Sequence, residues 1–188
     1  MEAVVSSFLL VAASEMGDKT QLLAFSLASR FRKPWAVMAG ILVATLANHA
    51  LASSLGSWLS THVPHRVMAA VLAATFIGFG LWTLKPDTLE ESGKPPRFGA
   101  FLTTVVLFFL AEMGDKTQLA TVALAARYQD PLMVTTGTTL GMLFSDGLAV
   151  MLGEKLAGKV QMKWLRWIAA SLFFIFGAVS LWSAVRGP

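Results

Sequence analysis

The chain has 188 residues, 55% of them hydrophobic and only 14% charged, where a soluble domain carries about 25% charged residues. A mean hydropathy of +0.64 marks an integral membrane protein, and the absence of cysteine excludes a disulfide framework, a thiolate metal site and a thiol nucleophile. The net charge of +4 is no nucleic-acid signal, because the basic residues gather where apolar runs end.

Met1 and Glu2 lead straight into apolar sequence, so no cleaved signal peptide is expected. Apolar runs of about 20 residues are long enough to span a bilayer. They predict six transmembrane helices, at 3–29, 34–59, 66–84, 98–126, 131–152 and 164–185. Arg30-Phe31-Arg32-Lys33-Pro34 closes the first, and Thr61-His62-Val63-Pro64-His65 separates the second from the third. Residues 85–97 form the longest polar linker, and Pro131 opens the fifth span at a first-turn position. Trp58, Trp82, Trp164, Trp167 and Trp182 fall near span ends and read as interfacial anchors.

The first and fourth spans share the octapeptide Glu-Met-Gly-Asp-Lys-Thr-Gln-Leu, unchanged, at 15–22 and 112–119. Its acids and lysines carry a naive bilayer penalty on the order of 15–20 kcal/mol, so they must compensate one another or bind something. At about 27 residues, or roughly 40 Å, both spans exceed a hydrocarbon core of about 30 Å. Either they tilt as straight helices or they are interrupted, with Gly17 and Gly114 the natural places to loosen.

The repeat extends further. At an offset of 97, Leu27-Ala28-x-Arg30 matches Leu124-Ala125-x-Arg127, Pro34 matches Pro131, and Gly40 matches Gly137. At an offset of 100, Arg66 matches Arg166 and Leu81-Trp82 matches Leu181-Trp182. The expected fold is therefore all-α and integral to the membrane, with six transmembrane helices in two inverted-topology three-helix repeats, 1–92 and 93–188. Three spans per half turn the second half over, which puts a site at the repeat interface near the midplane. Arg30, Arg32, Lys33, Lys85, Lys94, Arg97, Lys155, Lys159, Lys163 and Arg166 mark the cytoplasmic face, leaving both termini outside.

In a helical reading Glu15 and Asp18 share a face that Gln21 or Leu22 continues, with Ser14 beside it; Glu112, Asp115 and Gln118 repeat it. If the stripes meet, four carboxylates converge among amide and hydroxyl oxygens, a donor set for hard divalent cations. Four acids less Lys19 and Lys116 leave a charge of −2, matched by one M²⁺ or two H⁺. Exchange of one for the other is the expected activity, since crowded carboxylates at low dielectric take up protons when metal leaves. The alternative is a helix staple, with Glu15 and Lys19 as an i,i+4 ion pair.

Two intact Glu-x-Gly-Asp-Lys-Thr motifs, Glu15–Thr20 and Glu112–Thr117, resemble the signature of a family of Mn²⁺/Ca²⁺ cation–proton antiporters. That family includes the yeast Golgi calcium/manganese transporter, its human Golgi homologue and the bacterial manganese exporter MneA. The resemblance covers essentially the whole chain. It implies secondary transport of Mn²⁺ or Ca²⁺ against H⁺, with Glu15, Asp18, Glu112 and Asp115 as cation ligands. The chain lacks the N-terminal extension and long acidic central loop of eukaryotic members. It looks like a compact bacterial member that exports Mn²⁺ across the inner membrane.

Lys19, Thr20, Gln21, Lys116, Thr117 and Gln118 are expected to support the site. Asp146, in the fifth span, and its repeat counterpart His49 are candidates for the site or a proton path; hydrogen bonding and neutral packing are the plain alternatives. Met16 and Met113 read as packing rather than as thioether ligands, since a neighbour of Glu15 on a helix points about 100° away. Gly137 and Gly141 allow close helix approach. The expected partners are a divalent cation and the lipid bilayer, with no nucleic acid and no cofactor; a homo-oligomer stays open. Competing classes are a divalent cation channel with the acids as selectivity filter, an intramembrane enzyme and a scaffold. No nucleophile constellation, HExxH or GxSxG supports an enzyme.

Overall fold

The computed structural model describes residues 1–85, 98–156 and 162–186. The acidic pair Glu90–Glu91, the basic residues Lys94, Arg97 and Lys159, and the expected boundary between residues 92 and 93 lie outside the described residues.

The described residues form eight α-helices: α1 (Glu2–Glu15), α2 (Lys19–Phe31), α3 (Pro34–His62), α4 (His65–Thr83), α5 (Ala100–Glu112), α6 (Lys116–Tyr128), α7 (Pro131–Leu156) and α8 (Met162–Arg186). Pro34 sits at the start of α3, where its fixed φ helps and its missing N–H costs nothing. Pro131 does the same for α7. Just before them α2 and α6 end on Arg32 and Gln129, with left-handed φ of 51° and 54°. Each cap sends its N–H back to the carbonyl of Ala28 or Ala125. Both members of each pair are 97 positions apart, so the sequence repeat is also a backbone repeat.

The first and fourth apolar runs are interrupted. Asp18 N–H donates to Glu15 O at 3.1 Å, and Asp115 N–H to Glu112 O at 3.1 Å, closing a β-turn between two helices in each half. Met16 adopts φ −68°, ψ 113° and Gly17 φ 84°; Met113 (φ −62°, ψ 117°) and Gly114 (φ 75°) repeat them. This is the type II pattern, whose third position needs a positive φ and hence glycine. The shared-face reading of Glu15 and Asp18 fails for that reason: a helical spacing rule does not run through a turn.

Among the described residues, three helices are long and apolar enough to cross a membrane by length and composition: Pro34–His62, His65–Thr83 and the Arg166–Arg186 part of α8. The broken pieces are shorter. The 14 residues of α1 make ~21 Å, short of a ~30 Å hydrocarbon core.

α3 and α7 are the central helices. α1 packs on α7 and α5 packs on α3, while α4 pairs with α8. The close approaches are repeat-equivalent. A methyl on Gly40 would strike the Phe101 carbonyl and Thr104, and one on Gly137 would strike the Val4 carbonyl and Ser7. Each of these positions has its counterpart 97 residues away. Phe76, Phe79 and Phe173 form an aromatic core between α4 and α8, with ring centroids 5.8–6.5 Å from Phe173. A second apolar cluster joins Val11, Val37, Ile41, Phe108 and Met142. The five tryptophans noted above are all exposed, at 41% or more.

Candidate metal centre

The two turns bring both octapeptides together inside the protein. Glu15 and Glu112 are fully buried, and Asp18 and Asp115 nearly so. Oxygens of Glu15, Glu112 and Asp115 lie within 4.8 Å of one another. Ligands on opposite sides of a divalent ion, each roughly 2.1–2.6 Å from it, stand about 4–5 Å apart, so this cluster has the right scale.

Asp18 stands outside that trio. Its Oδ1 accepts from the Lys19 backbone N–H at 2.6 Å, and its Oδ2 lies 2.7 Å from Lys116 Nζ. The lysines pair across the halves: Lys19 Nζ reaches Asp115 Oδ1 at 2.9 Å. The alternative staple between Glu15 and Lys19 is not what the side chains do. The turn redirects Lys19 at the start of α2, away from the end of α1.

The motif threonines serve one acid. Thr20 Oγ1 donates to Glu15 Oε2 at 2.6 Å, and Thr117 Oγ1 donates to Glu15 Oε1. Neither carboxylate oxygen of Glu112 has a hydrogen-bond partner among the described residues, and the same holds for Asp115 Oδ2. Two chemically identical glutamates in identical octapeptides thus have unlike surroundings. Unpaired buried carboxylate oxygens are costly unless something positive meets them.

Gln21 and Gln118 stabilise the turns rather than extending an acidic stripe. Gly17 N–H donates to Gln21 Oε1 at 2.9 Å, and Gly114 N–H to Gln118 Oε1 at 2.8 Å. The amide nitrogens then cross to the other half. Gln21 Nε2 donates to Ser145 O at 3.0 Å, and Gln118 Nε2 reaches Asn48 Oδ1 at 3.5 Å. Asn48 in turn donates to Phe109 O at 3.1 Å. Asn48 and Ser145 are repeat counterparts that sequence reasoning gave no role. Their shared place in the offset of 97, each one residue before His49 or Asp146, was the available signal.

Asp146 is fully buried, with no hydrogen bond to either oxygen among the described residues. It lies within electrostatic reach of Glu15 and Asp18. His49 is equally buried, and both its ring nitrogens lack hydrogen-bond partners among the described residues. Its carbonyl accepts from Ser53, whose hydroxyl also meets Thr135 of α7. Met113 is 54% exposed, so it is not a core residue; its sulfur accepts a long 3.8 Å contact from Gln118. Met16 is partly buried beside Gly17.

With the geometry in place, comparison with known proteins is informative. The profile of the family described as divalent cation/proton antiporter GDT1 matches residues 3–91 and again residues 100–188. A Vibrio cholerae protein described as a candidate manganese exporter is 42% identical over 176 residues, covering 93% of this chain and 88% of that relative. A GDT1-like protein of Synechocystis is 32% identical over 207 residues, covering 98% and 99%. GDT1-like protein 3 of Arabidopsis thaliana is 29% identical over 207 residues, covering 95% and 70%. No solved structure matches.

Proposed function

We propose that this chain, which belongs to the divalent cation/proton antiporter GDT1 family, exports Mn²⁺ from the cytoplasm and carries H⁺ back. The observation that carries the site assignment is the convergence of Glu15, Glu112 and Asp115 from both octapeptides on one buried point. Charge supports the exchange. The pairs Lys19–Asp115 and Lys116–Asp18 are each neutral, which leaves Glu15 and Glu112 with −2. One M²⁺ satisfies that charge, and so do two H⁺.

Glu15, Glu112 and Asp115 contribute the cation ligands, and Asp18 holds the buried Lys116. Thr20 and Thr117 orient Glu15, while Gln21 and Gln118 hold the turns in place. Asp146 and His49 line the proton's route. The oxygen donors suit Ca²⁺ as well as Mn²⁺; the preference for Mn²⁺ follows the description of the Vibrio relative. The architecture we assign is six spans in two inverted repeats, 1–92 and 93–188, with α1–α2 and α5–α6 each crossing as a broken helix. The bacterial relative and the basic-residue distribution support an inner-membrane location with both termini outside.

The test is transport by proteoliposomes loaded with a pH dye, comparing Mn²⁺ and Ca²⁺ under an imposed pH gradient. Mn²⁺ movement should be matched by opposing H⁺ movement. Metal flux without it would overturn the exchange, and single-channel currents far above carrier turnover would make the site a selectivity filter instead.

A further inference from the structure

Away from the acids, where α3, α4, α6 and α8 meet, there is a second feature that cation transport does not use. The ends of α3, α6 and α8 and the first turn of α4 enclose a polar pocket of about 340 Å³. Ser60, His65, Arg127, Tyr128, Gln129 and Ser183 are among its lining residues, and none of the described lining residues is acidic. Arg127 is held in position there. It donates to Ser180 Oγ at 3.0 Å and lies 5.6 and 5.4 Å from the ring centres of Tyr128 and Phe176. Below Pro64, α4 begins without a side-chain cap. Its first N–H groups therefore add partial positive charge to the same pocket.

This pocket borders a larger apolar one. A groove of about 640 Å³ follows α4 and α6, lined by residues such as Val71, Gly78, Phe79, Leu119 and Val122. Val63, Met68, Leu72 and Ala126 line both cavities, so the two adjoin. From Met68 to Trp82 the groove follows α4 over about 21 Å. That exceeds the ~15 Å half-thickness of a bilayer's hydrocarbon core.

An acid-free basic pocket at the end of membrane-length helices, adjoining an apolar groove running along one of them, has the two-part chemistry of a lipid. We propose that it seats one anionic phospholipid, with the headgroup phosphate at Arg127 and an acyl chain along α4. A zwitterionic lipid such as phosphatidylcholine offers the same phosphate but brings a choline cation with it, which the acid-free, basic lining disfavours. The lipid would lie between α4 of the first half and α6 of the second, directly behind the broken helix that carries Lys116 and Thr117.

The experiment is native mass spectrometry of the full chain in micelles containing equal phosphatidylglycerol and phosphatidylcholine. One phosphatidylglycerol adduct should be retained in preference. Arg127→Ala should weaken that preference about fivefold or more, and Arg127→Lys by less. Gly78 offers an independent block, because it lines the groove and a Cβ added there meets no atom within 4 Å. Gly78→Phe should fill the groove and remove the same adduct while the protein keeps its helical content. Equal retention of the two lipids overturns the proposal. So does an adduct indifferent to Gly78→Phe, which decides the matter alone if Arg127→Ala does not fold. A dimer that Gly78→Phe dissociates would assign the groove to a second copy of the chain and overturn it too.

Discussion

Lys116 of the second octapeptide lies 2.7 Å from Asp18 of the first, and its side chain is only 4% exposed. The reciprocal pair, Lys19 with Asp115 at 2.9 Å, has a lysine that is 30% exposed. The two halves therefore hold each other by exchanged ion pairs of unequal burial. Breaking a buried pair strands a charge and costs about 3–5 kcal/mol, whereas exposed pairs contribute roughly 0–1 kcal/mol. Lys116→Ala is expected to destabilise the protein severalfold more than Lys19→Ala in thermal unfolding in detergent. Equal losses would mean that the pairs are energetically alike despite their burial.

The two motif glutamates are expected to respond in opposite ways to loss of charge. Glu15→Leu leaves the hydroxyls of Thr20 and Thr117 without their acceptor, a loss of about 1–3 kcal/mol. Glu112→Leu removes a buried carboxylate that makes no hydrogen bond among the described residues, and metal-free stability should hold or rise. Both changes should abolish cation/proton exchange. Unfolding midpoints measured with chelator present, set beside transport rates, check this.

Adding Mn²⁺ should stabilise the wild-type protein. Free metal at a hundred times its dissociation constant contributes about 2.7 kcal/mol to any state that alone binds it. The rise should vanish in Glu112→Gln and in Asp115→Asn. A shift that survives both substitutions places the ion elsewhere.

Gly17 and Gly114 hold φ of 84° and 75°. A Cβ at Gly114 would meet no neighbour within 4 Å, so the penalty for alanine there is one of backbone conformation. Gly114→Ala should cost about 1–2 kcal/mol and Gly114→Val more, while Gly114→Asn is tolerated best because its side chain accepts left-handed backbone. A stability series across these three variants, ranked otherwise, would point to a helix that is continuous in the working protein.

Removing the glutamine clamps should disturb transport more than folding. Gln21→Leu and Gln118→Leu each delete the acceptor for a turn N–H at 2.9 or 2.8 Å and a link to the other half. Each should lower stability by about 1–2 kcal/mol. Exchange activity should fall further, because the turn fixes where Glu15 or Glu112 points. Transport that tracks stability one-for-one would remove the positioning role.

Much of the fold was legible from local chemistry. The predicted 34–59 and 66–84 spans appear as Pro34–His62 and His65–Thr83, since proline, polar turns and apolar length act over a few residues. The interruption of the first and fourth apolar runs was readable as one of two options. Glycine beside charge in an overlong apolar run signals it, and the choice between a break and a tilt needed coordinates. Gln21 looked like the continuation of an acidic stripe only because a straight helix was assumed through Gly17.

The amino-acid sequence alone determined that two identical acidic segments sit in apolar surroundings and that each carries a glycine able to turn the chain. It also determined their net charge of −2, because composition, spacing and backbone preference are local properties. Only the tertiary structure decided that each lysine serves the opposite half, that both threonines serve Glu15, and that Glu112 is left without hydrogen bonds among the described residues. Apart from Thr20, five residues from Glu15, those partners lie some hundred residues apart along the chain, and packing of α1, α2, α5 and α6 around α3 and α7 selects among pairings that the repeated letters make equivalent.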